Sequence, residues 1–196
     1  MKGLVLSLIA ILVGCVGGPI RSTPPMYEPK RHLDAIGAIQ NWSAVGRVAI
    51  ERGSEGWTAR LQWRKTGTRF QLRLVGPLGR GTYQLAGDGT GVELIVPDGG
   101  RFYASDAETL MDEHFGWSIP VDGAEYWIRG LVAPNSTPKF VNRDEVGQLL
   151  EMEQDGWRIN VLRHGSVNNL ALPSKLLMYI GDLKVRIVIS SWKFTS

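Results

Sequence analysis

The sequence predicts a mainly β fold with some α (α+β): a curled antiparallel sheet forming an incomplete barrel, covered by a few helices as a lid. Three observations predict it. From residue 57 onward apolar residues recur at every second position, the period of a strand with one dry face. The runs are short and separated by turn signals at near-regular spacing, as in a meander. One stretch near the middle has helical spacing instead, and a long antiparallel sheet twists and curls, leaving that stretch to cover one side.

Each element follows from its own pattern. Residues 30–42 read as one amphipathic helix, with Leu33, Ile36, Ala38 and Ile39 near helical spacing. A less regular run with Val45, Val48 and Ile50 comes next. Trp57, Ala59, Leu61 and Trp63 then alternate with Thr58, Arg60, Gln62 and Arg64. Beyond a Lys65, Thr66, Gly67 turn, Phe70, Leu72 and Leu74 alternate with Arg69, Gln71 and Arg73. Tyr83 and Leu85, then Val92, Leu94 and Val96, continue the series across Gly-Asp-Gly and Pro-Asp-Gly-Gly turns. Ser105 reads as a helix N-cap with Glu108 three places on, and Ala107, Leu110, Met111 and Phe115 as the apolar side. A second short helix is expected over residues 122–130, ending in glycine. Strands resume over 146–152, 157–162, 176–180 and 183–189, the last clearest, with Leu183, Val185, Ile187 and Ile189 on one face. Neither an internal repeat nor a second domain is visible.

The N-terminus sets the compartment. Lys2 gives a positive start, residues 4–13 are almost wholly apolar, and Leu12, Val13 and Gly14 lead into Cys15, the only cysteine. This is the grammar of a secretory signal, and the run is too short to span a bilayer. The Leu-x-Gly-Cys order resembles the lipobox of bacterial lipoproteins, in which the thiol receives a diacylglyceryl group and the new N-terminus a third chain. More than one long chain anchors stably where a single chain does not. Residues 1–14 are thus expected to be a signal peptide, 15–29 a lipid-anchored Gly/Pro/Ser/Thr-rich tether, and 30–196 a single domain. Val16 after the cysteine, where Asp holds lipoproteins in the inner membrane, suggests passage to the outer one.

Composition excludes little but favours no chemistry. The net charge of +3 is mild, and basic residues alternate singly with apolar ones, so nucleic acid is not expected as a partner. His32, His114 and His164 lack metal-ligand spacing, and Asp106, Glu108, Asp112 and Glu113 read as a solvated helix face. No nucleophile elbow or phosphate-binding glycine loop appears. The expectation is a protein without catalytic residues, metal or cofactor.

Two features stand out. Seven tryptophans fall largely on sheet or helix faces. Aromatics of this size normally fill a core, but they equally suit a concave face left partly open for an apolar ligand under a lid, and sequence does not separate the two. The second is Leu78, in Val75, Gly76, Pro77, Leu78, Gly79, an apolar residue where turns carry polar ones. It either folds back on the sheet or forms an exposed tip for a membrane or partner.

Together these residues resemble the LolB family, outer-membrane lipoprotein receptors. The resemblance rests on Trp63, Arg64, Lys65, Thr66, Gly67; Leu72, Arg73, Leu74; Gly76, Pro77, Leu78, Gly79; Tyr103 to Glu108; Tyr126, Trp127, Ile128, Arg129, Gly130, Leu131; Trp157, Arg158, Ile159; and Leu172, Pro173. Order and spacing hold from about Trp42 to the C-terminus. Gly76, where a familiar member of the family has Asn, departs from the pattern, and residues 132–144 match poorly.

The resemblance implies a chain anchored in the outer membrane of a Gram-negative bacterium and facing the periplasm. It would accept lipoproteins, through their acyl chains, from a soluble LolA-like periplasmic carrier, and insert them into the inner leaflet of that membrane. An acyl chain crossing water exposes methylenes costing on the order of 10 kcal/mol, and a dry pocket removes that cost without ATP. The expected acyl surface is Trp57, Leu61, Trp63, Phe70, Leu72, Tyr83, Leu85 and Leu94, with Trp117, Trp127 and Ile128 in the lid, Leu78 as the membrane-insertion loop and Cys15 as lipidation site. A monomer is expected. Alternatives are another lipid- or glycolipid-binding envelope lipoprotein, or a purely structural one.

Overall fold

The computed structural model of the chain describes residues 29–79 and 81–195; the expected signal peptide, Cys15 and the tether up to residue 28 lie outside the described residues. After a helix α1 (Pro29–Gly37), six strands follow: β1 (Asn41–Arg52), β2 (Glu55–Thr66), β3 (Arg69–Val75), β4 (Thr82–Gly87), β5 (Val92–Ile95) and β6 (Arg101–Ala104). Helices α2 (Ala107–Phe115) and α3 (Val121–Trp127) come next. The chain ends with β7 (Phe140–Arg143), β8 (Leu149–Gln154), β9 (Trp157–Val167), β10 (Leu170–Ile180) and β11 (Leu183–Phe194).

All eleven strands form one sheet in the order β6-β5-β4-β3-β2-β1-β11-β10-β9-β8-β7. Every neighbouring pair is antiparallel. The sheet is two meanders zipped together by β1 and β11, and it does not close, because β6 and β7 are free edges. The chain must travel from one edge to the other, and the segment that does so carries α2 and α3. Both helices cover the inner face, where Met111, Val121 and Ala124 meet Leu61, Trp63 and Ile187.

The inner face follows the period-two pattern. Trp42, Ala44, Val48 and Ile50 of β1, Ala59, Leu61 and Trp63 of β2, and Val185, Ile187 and Ile189 of β11 are all buried. On β11 the period slips after Ile189 so that Trp192 also points inward, and the β1–β11 register shifts between Val45 and Gly46 at the same level. Gly46 permits this: a Cβ there would lie 2.1 Å from the Val188 carbonyl oxygen. Pro173 sits within β10 where its register with β9 shifts, the place a strand tolerates proline.

Several boundaries differ from the pattern reading. The helix expected over 30–42 stops at Gly37, and Trp42 belongs to β1, where Trp63 and Trp192 meet it edge-to-face at 5.6 and 5.5 Å. Tertiary packing of that indole overrides a continuous helix. The N-cap of α2 is Asp106, not Ser105: its carboxylate accepts the Thr109 N–H at 2.8 Å, while the Ser105 hydroxyl donates to Asp106. A carboxylate also suits the positive helix end better than a hydroxyl. Helix α3 is shorter than residues 122–130, closing through a turn to Gly130. The strand expected at 146–152 is β8, starting at Leu149, because Asp144 accepts the Val146 and Gln148 N–H groups and holds 144–148 in a turn. Edge strands β6 and β7, each four residues long, show too little alternation to read from sequence.

Candidate functional site: an apolar hollow under a two-helix lid

Between the concave sheet and the lid lies a cavity of about 50 Å³. The sheet contributes Val48, Leu61, Trp63, Leu72, Leu74, Met178 and Ile187, and the lid Met111, Ile119, Val121 and Ala124. The surface that these side chains present to the hollow is wholly apolar. At this size the hollow holds little more than a water-sized group. A long acyl chain needs several times that room, so accepting one requires the helices to lift from the sheet.

Aromatic groups frame the hollow. Trp42 bridges Trp63, in its wall, and Trp192. Trp57, Tyr83, Phe115 and Trp117 form a chain of ring contacts between 5.2 and 5.9 Å from β2 to the segment joining α2 and α3. Such contacts add roughly 0.5–1.5 kcal/mol each beyond area burial.

Polar bolts hold one end of the lid. Glu125 of α3, buried, receives the Lys65 ammonium at 2.5 Å. Arg129, also buried, donates from Nε to the Glu125 carbonyl at 2.9 Å and from a terminal nitrogen to the Ile39 carbonyl at 3.0 Å. Its guanidinium lies over the Tyr126 and Trp42 rings. Burial pulls the Arg129 pKa down, and the Glu125 and Tyr126 charges oppose that. Trp127 Nε1 donates to Gln154 Oε1 at 2.8 Å, and Gln154 in turn ties the Ala133 backbone. Among the described residues no comparable polar tie links α2 side chains to the sheet; Arg52 holds the Gly116 carbonyl just past its end. At its start, Glu108 has its pKa raised, first by burial and then by Asp122 and Asp106.

Of the residues expected to form the acyl surface, Leu61, Trp63 and Leu72 line the cavity. Phe70, Leu85 and Leu94 are buried on the same inner face further along the sheet. Trp57, Tyr83 and Trp117 are half-buried in the aromatic chain. Trp127 and Ile128 are wholly buried behind the cavity, Trp127 against Trp157, so within α3 the cavity-facing side chains are Val121 and Ala124. Val48, Met178 and Ile187 were not singled out. Their signal was present in the alternation of 183–189 and in the 176–180 run, but the zipping of β1 to β11 that brings them opposite Leu61 leaves no mark in local sequence.

Among the described residues, Leu78 is the one large apolar side chain almost entirely in water, 93 % exposed, at the tip of a single-turn helix (Pro77–Gly79) between β3 and β4. Its backbone is left-handed, φ 57° and ψ 22°. On the outer face, basic groups stand singly in the sheet, with Arg47 directly opposite Arg60.

Among the described residues no group of three or more His, Cys, Asp or Glu side chains could hold a metal ion. His32 Nε2 lies 3.1 Å from the Ala171 carbonyl, His114 lies against Phe102 with the rings tilted by 53°, and His164 is partly buried with burial lowering its pKa. No helix among the described residues is long and apolar enough to cross a membrane.

Comparison with known proteins gives a consistent picture. The family model described as outer membrane lipoprotein LolB matches residues 40–192. The chain is similar to the outer-membrane lipoprotein LolB of Nitrosococcus oceani, 34 % identical over 194 residues, covering 97 % of this chain and 96 % of that one. It is also similar to the protein of that name from Pseudomonas putida, 34 % identical over 191 residues, covering 95 % and 93 %. Among solved structures, a LolA superfamily protein from Nitrosomonas europaea has the same fold at a TM-score of 0.51 and 7 % identity, covering 86 % of this chain and 94 % of its own. A DUF1329 family protein from Desulfovibrio piger matches equally, with a TM-score of 0.51 at 9 % identity over 86 % and 91 %.

Proposed function

The chain belongs to the LolB family of outer-membrane lipoproteins, and on that premise we propose that it receives lipoproteins from a soluble periplasmic carrier and delivers them into the outer membrane it is anchored to. The observation that carries the reading is the hollow between concave sheet and lid, lined by apolar side chains. Acyl chains take the place of the lid's apolar side against Leu61, Trp63 and Leu72 as α2 lifts. The bolted end of α3, through Lys65, Glu125 and Arg129, keeps the lid attached.

Transfer needs no nucleotide. Each chain leaves one dry surface for another, and direction follows from tighter binding by the receiver, a difference of affinities. Residues 1–14 serve as signal peptide, Cys15 as the lipid anchor, 15–29 as tether and 30–196 as one acyl-binding domain working as a monomer. Leu78 meets the inner leaflet during delivery, a role that fits an exposed leucine held in a strained backbone. No side chain is assigned a catalytic role.

The test mixes the anchored protein with a carrier holding fluorescently labelled lipoprotein. Label should move to this protein and then to outer-membrane vesicles without ATP. Label that stays on the carrier, with the lid and fold intact, would leave the chain a lipoprotein of another role.

A further inference from the structure

Strand pairing gathers on the outer face of the sheet cations that the sequence keeps apart. Arg47 of β1, Arg60 and Arg64 of β2, Arg73 of β3, and Arg186 and Lys193 of β11 are exposed at positions alternating with inward-facing ones, so all six stand on the side away from the lid. Among the described residues none of the six has an ion pair or a hydrogen-bonded partner. Glu51, near the far end of β1, is the carboxylate that shares the outward positions of these four strands. Elsewhere the chain pairs its cations: Arg101 with Glu93, Lys139 and Arg158 with Glu153, and Lys65 with Glu125. A chain of net charge +3 thus keeps a block of unmatched positive charge on one face.

That block works against the fold. Arg47 and Arg60 are direct cross-strand partners, and like charges directly opposite destabilise a sheet. Arg64, Arg73 and Lys193 border a depression of about 470 Å³ together with Gln62, Gln71 and Gln84, and no carboxylate lines it. Guanidinium forks and an ammonium around a space free of acids suit a phosphate group. Among the described residues, the outward positions of β1, β2, β3 and β11 hold no aromatic side chain, so the face lacks the buried anchors on which a protein interface depends. Single cations on long stems match phosphates that are themselves free to move in the plane of a bilayer.

We propose that the outer face of β3, β2, β1 and β11 docks on a bilayer surface through anionic phospholipid headgroups such as phosphatidylglycerol. The chain belongs to a family of outer-membrane lipoproteins, so a phospholipid surface is always at hand. An anionic bilayer attracts each nearby lysine or arginine, and the attraction fades within a Debye length, so the face acts only when it lies close to the membrane. Docking in this sense leaves the lid turned to the aqueous side, where a soluble carrier arrives. The turn that carries Leu78 leaves β3 at Val75, the strand partner of Arg60, so the apolar tip adjoins the rim of the contact. The role is separate from the acyl hollow, which lies on the opposite face.

The experiment uses the full lipid-anchored protein in phosphatidylcholine vesicles with and without phosphatidylglycerol. A fluorophore is attached at Gln62→Cys, between Arg60 and Arg64, or at Glu113→Cys, on the exposed side of α2, and its quenching by neutral acrylamide is read. With phosphatidylglycerol present, position 62 should be shielded and position 113 open, and high salt should reopen position 62. In phosphatidylcholine alone both should be open. Each cation removed should lower the ratio of docked to undocked protein about fivefold. Arg60→Gln, Arg64→Gln and Arg73→Gln together should therefore leave position 62 as open as in neutral vesicles. Arg60→Gln alone should hold or raise the urea midpoint, since it relieves Arg47. Equal access to position 62 in both vesicles, or shielding that survives high salt or the triple substitution, overturns the proposal. A lower urea midpoint for Arg60→Gln overturns it by assigning the cations to folding. Shielding of position 62 when carrier is added to neutral vesicles overturns it by making the face a protein site. Lipoprotein acceptance measured on the same vesicles reports on the hollow, so failure of docking and failure of the acyl reading are told apart.

Discussion

At the scale of single residues, Leu78 shows what the chain tolerates for the sake of a surface. A residue with a Cβ in the left-handed region costs about 1–2 kcal/mol, and glycine occupies it freely. Leu78→Gly should therefore raise stability in urea by up to about 1 kcal/mol, glycine's looser unfolded state taking back part of the gain. Leu78→Glu should leave folding and acyl binding intact. Both variants should fail to insert cargo into membranes; normal insertion by either would remove Leu78 from the delivery step. The apolar tip was legible because proline and glycine flank it, whereas its left-handed backbone was not, since leucine is a residue that avoids that conformation. His164 gives a second test. Burial lowers its pKa below the free value of 6.5, helped by His32 and opposed by Asp144. A depressed histidine contributes stability above the unfolded pKa and loses it as pH falls. Denaturation midpoints should drop between about pH 7 and 5, a window above that of the exposed carboxylates, and His164→Gln should flatten the drop. A profile unchanged by the substitution would contradict this.

At the scale of elements, the strands that alternate cleanly were readable and the ones that do not were missed. Leu61, Trp63 and Leu72 share a face because their spacing is even, and that parity survives any register a buried face allows. Strands β6 and β7 lie at the free edges, where little burial enforces alternation. Helix α1 was overextended because Ala38 and Ile39 suit a helix locally, while Trp42 gains more by packing between two other indoles. The β1–β11 junction depends on Gly46, whose added methyl would strike backbone. Gly46→Ala should cost about 3 kcal/mol or more in chemical denaturation, a loss of the size seen for overpacked cores. A cost under 1 kcal/mol would show that the junction can relax. The lid interface should respond in the other direction. Ala124→Val fills part of the 50 Å³ hollow and should stabilise the closed form by up to about 1 kcal/mol while slowing acceptance of acyl ligand. Faster acceptance with greater stability would separate the hollow from the binding step.

At the scale of the whole molecule, the two free edges and the lid are one design. A sheet left open between β6 and β7 needs a connection across the gap, and that connection carries α2 and α3. The sequence disclosed a sheet and helices in the right order, because each has its own period. It could not disclose which meander joins which, since β1 and β11 stand at opposite ends of the domain. For the same reason it named the tryptophans as candidates but not the wall that Val48, Met178 and Ile187 complete. Whether large apolar groups fill a core or flank a hollow is decided by packing to a fraction of a side chain, and no pattern of residue types encodes that.

The account turns on acyl chains occupying the space between lid and sheet. A photoreactive benzoylphenylalanine placed at Leu72, on the inner face of β3, and separately at Arg73, on its outer face, reports this directly. With a bound radiolabelled palmitoylated lipopeptide, illumination should label the acyl chain from position 72 and not from position 73. Equal labelling from both positions, or from position 73 alone, would place the chains outside the hollow and contradict the account.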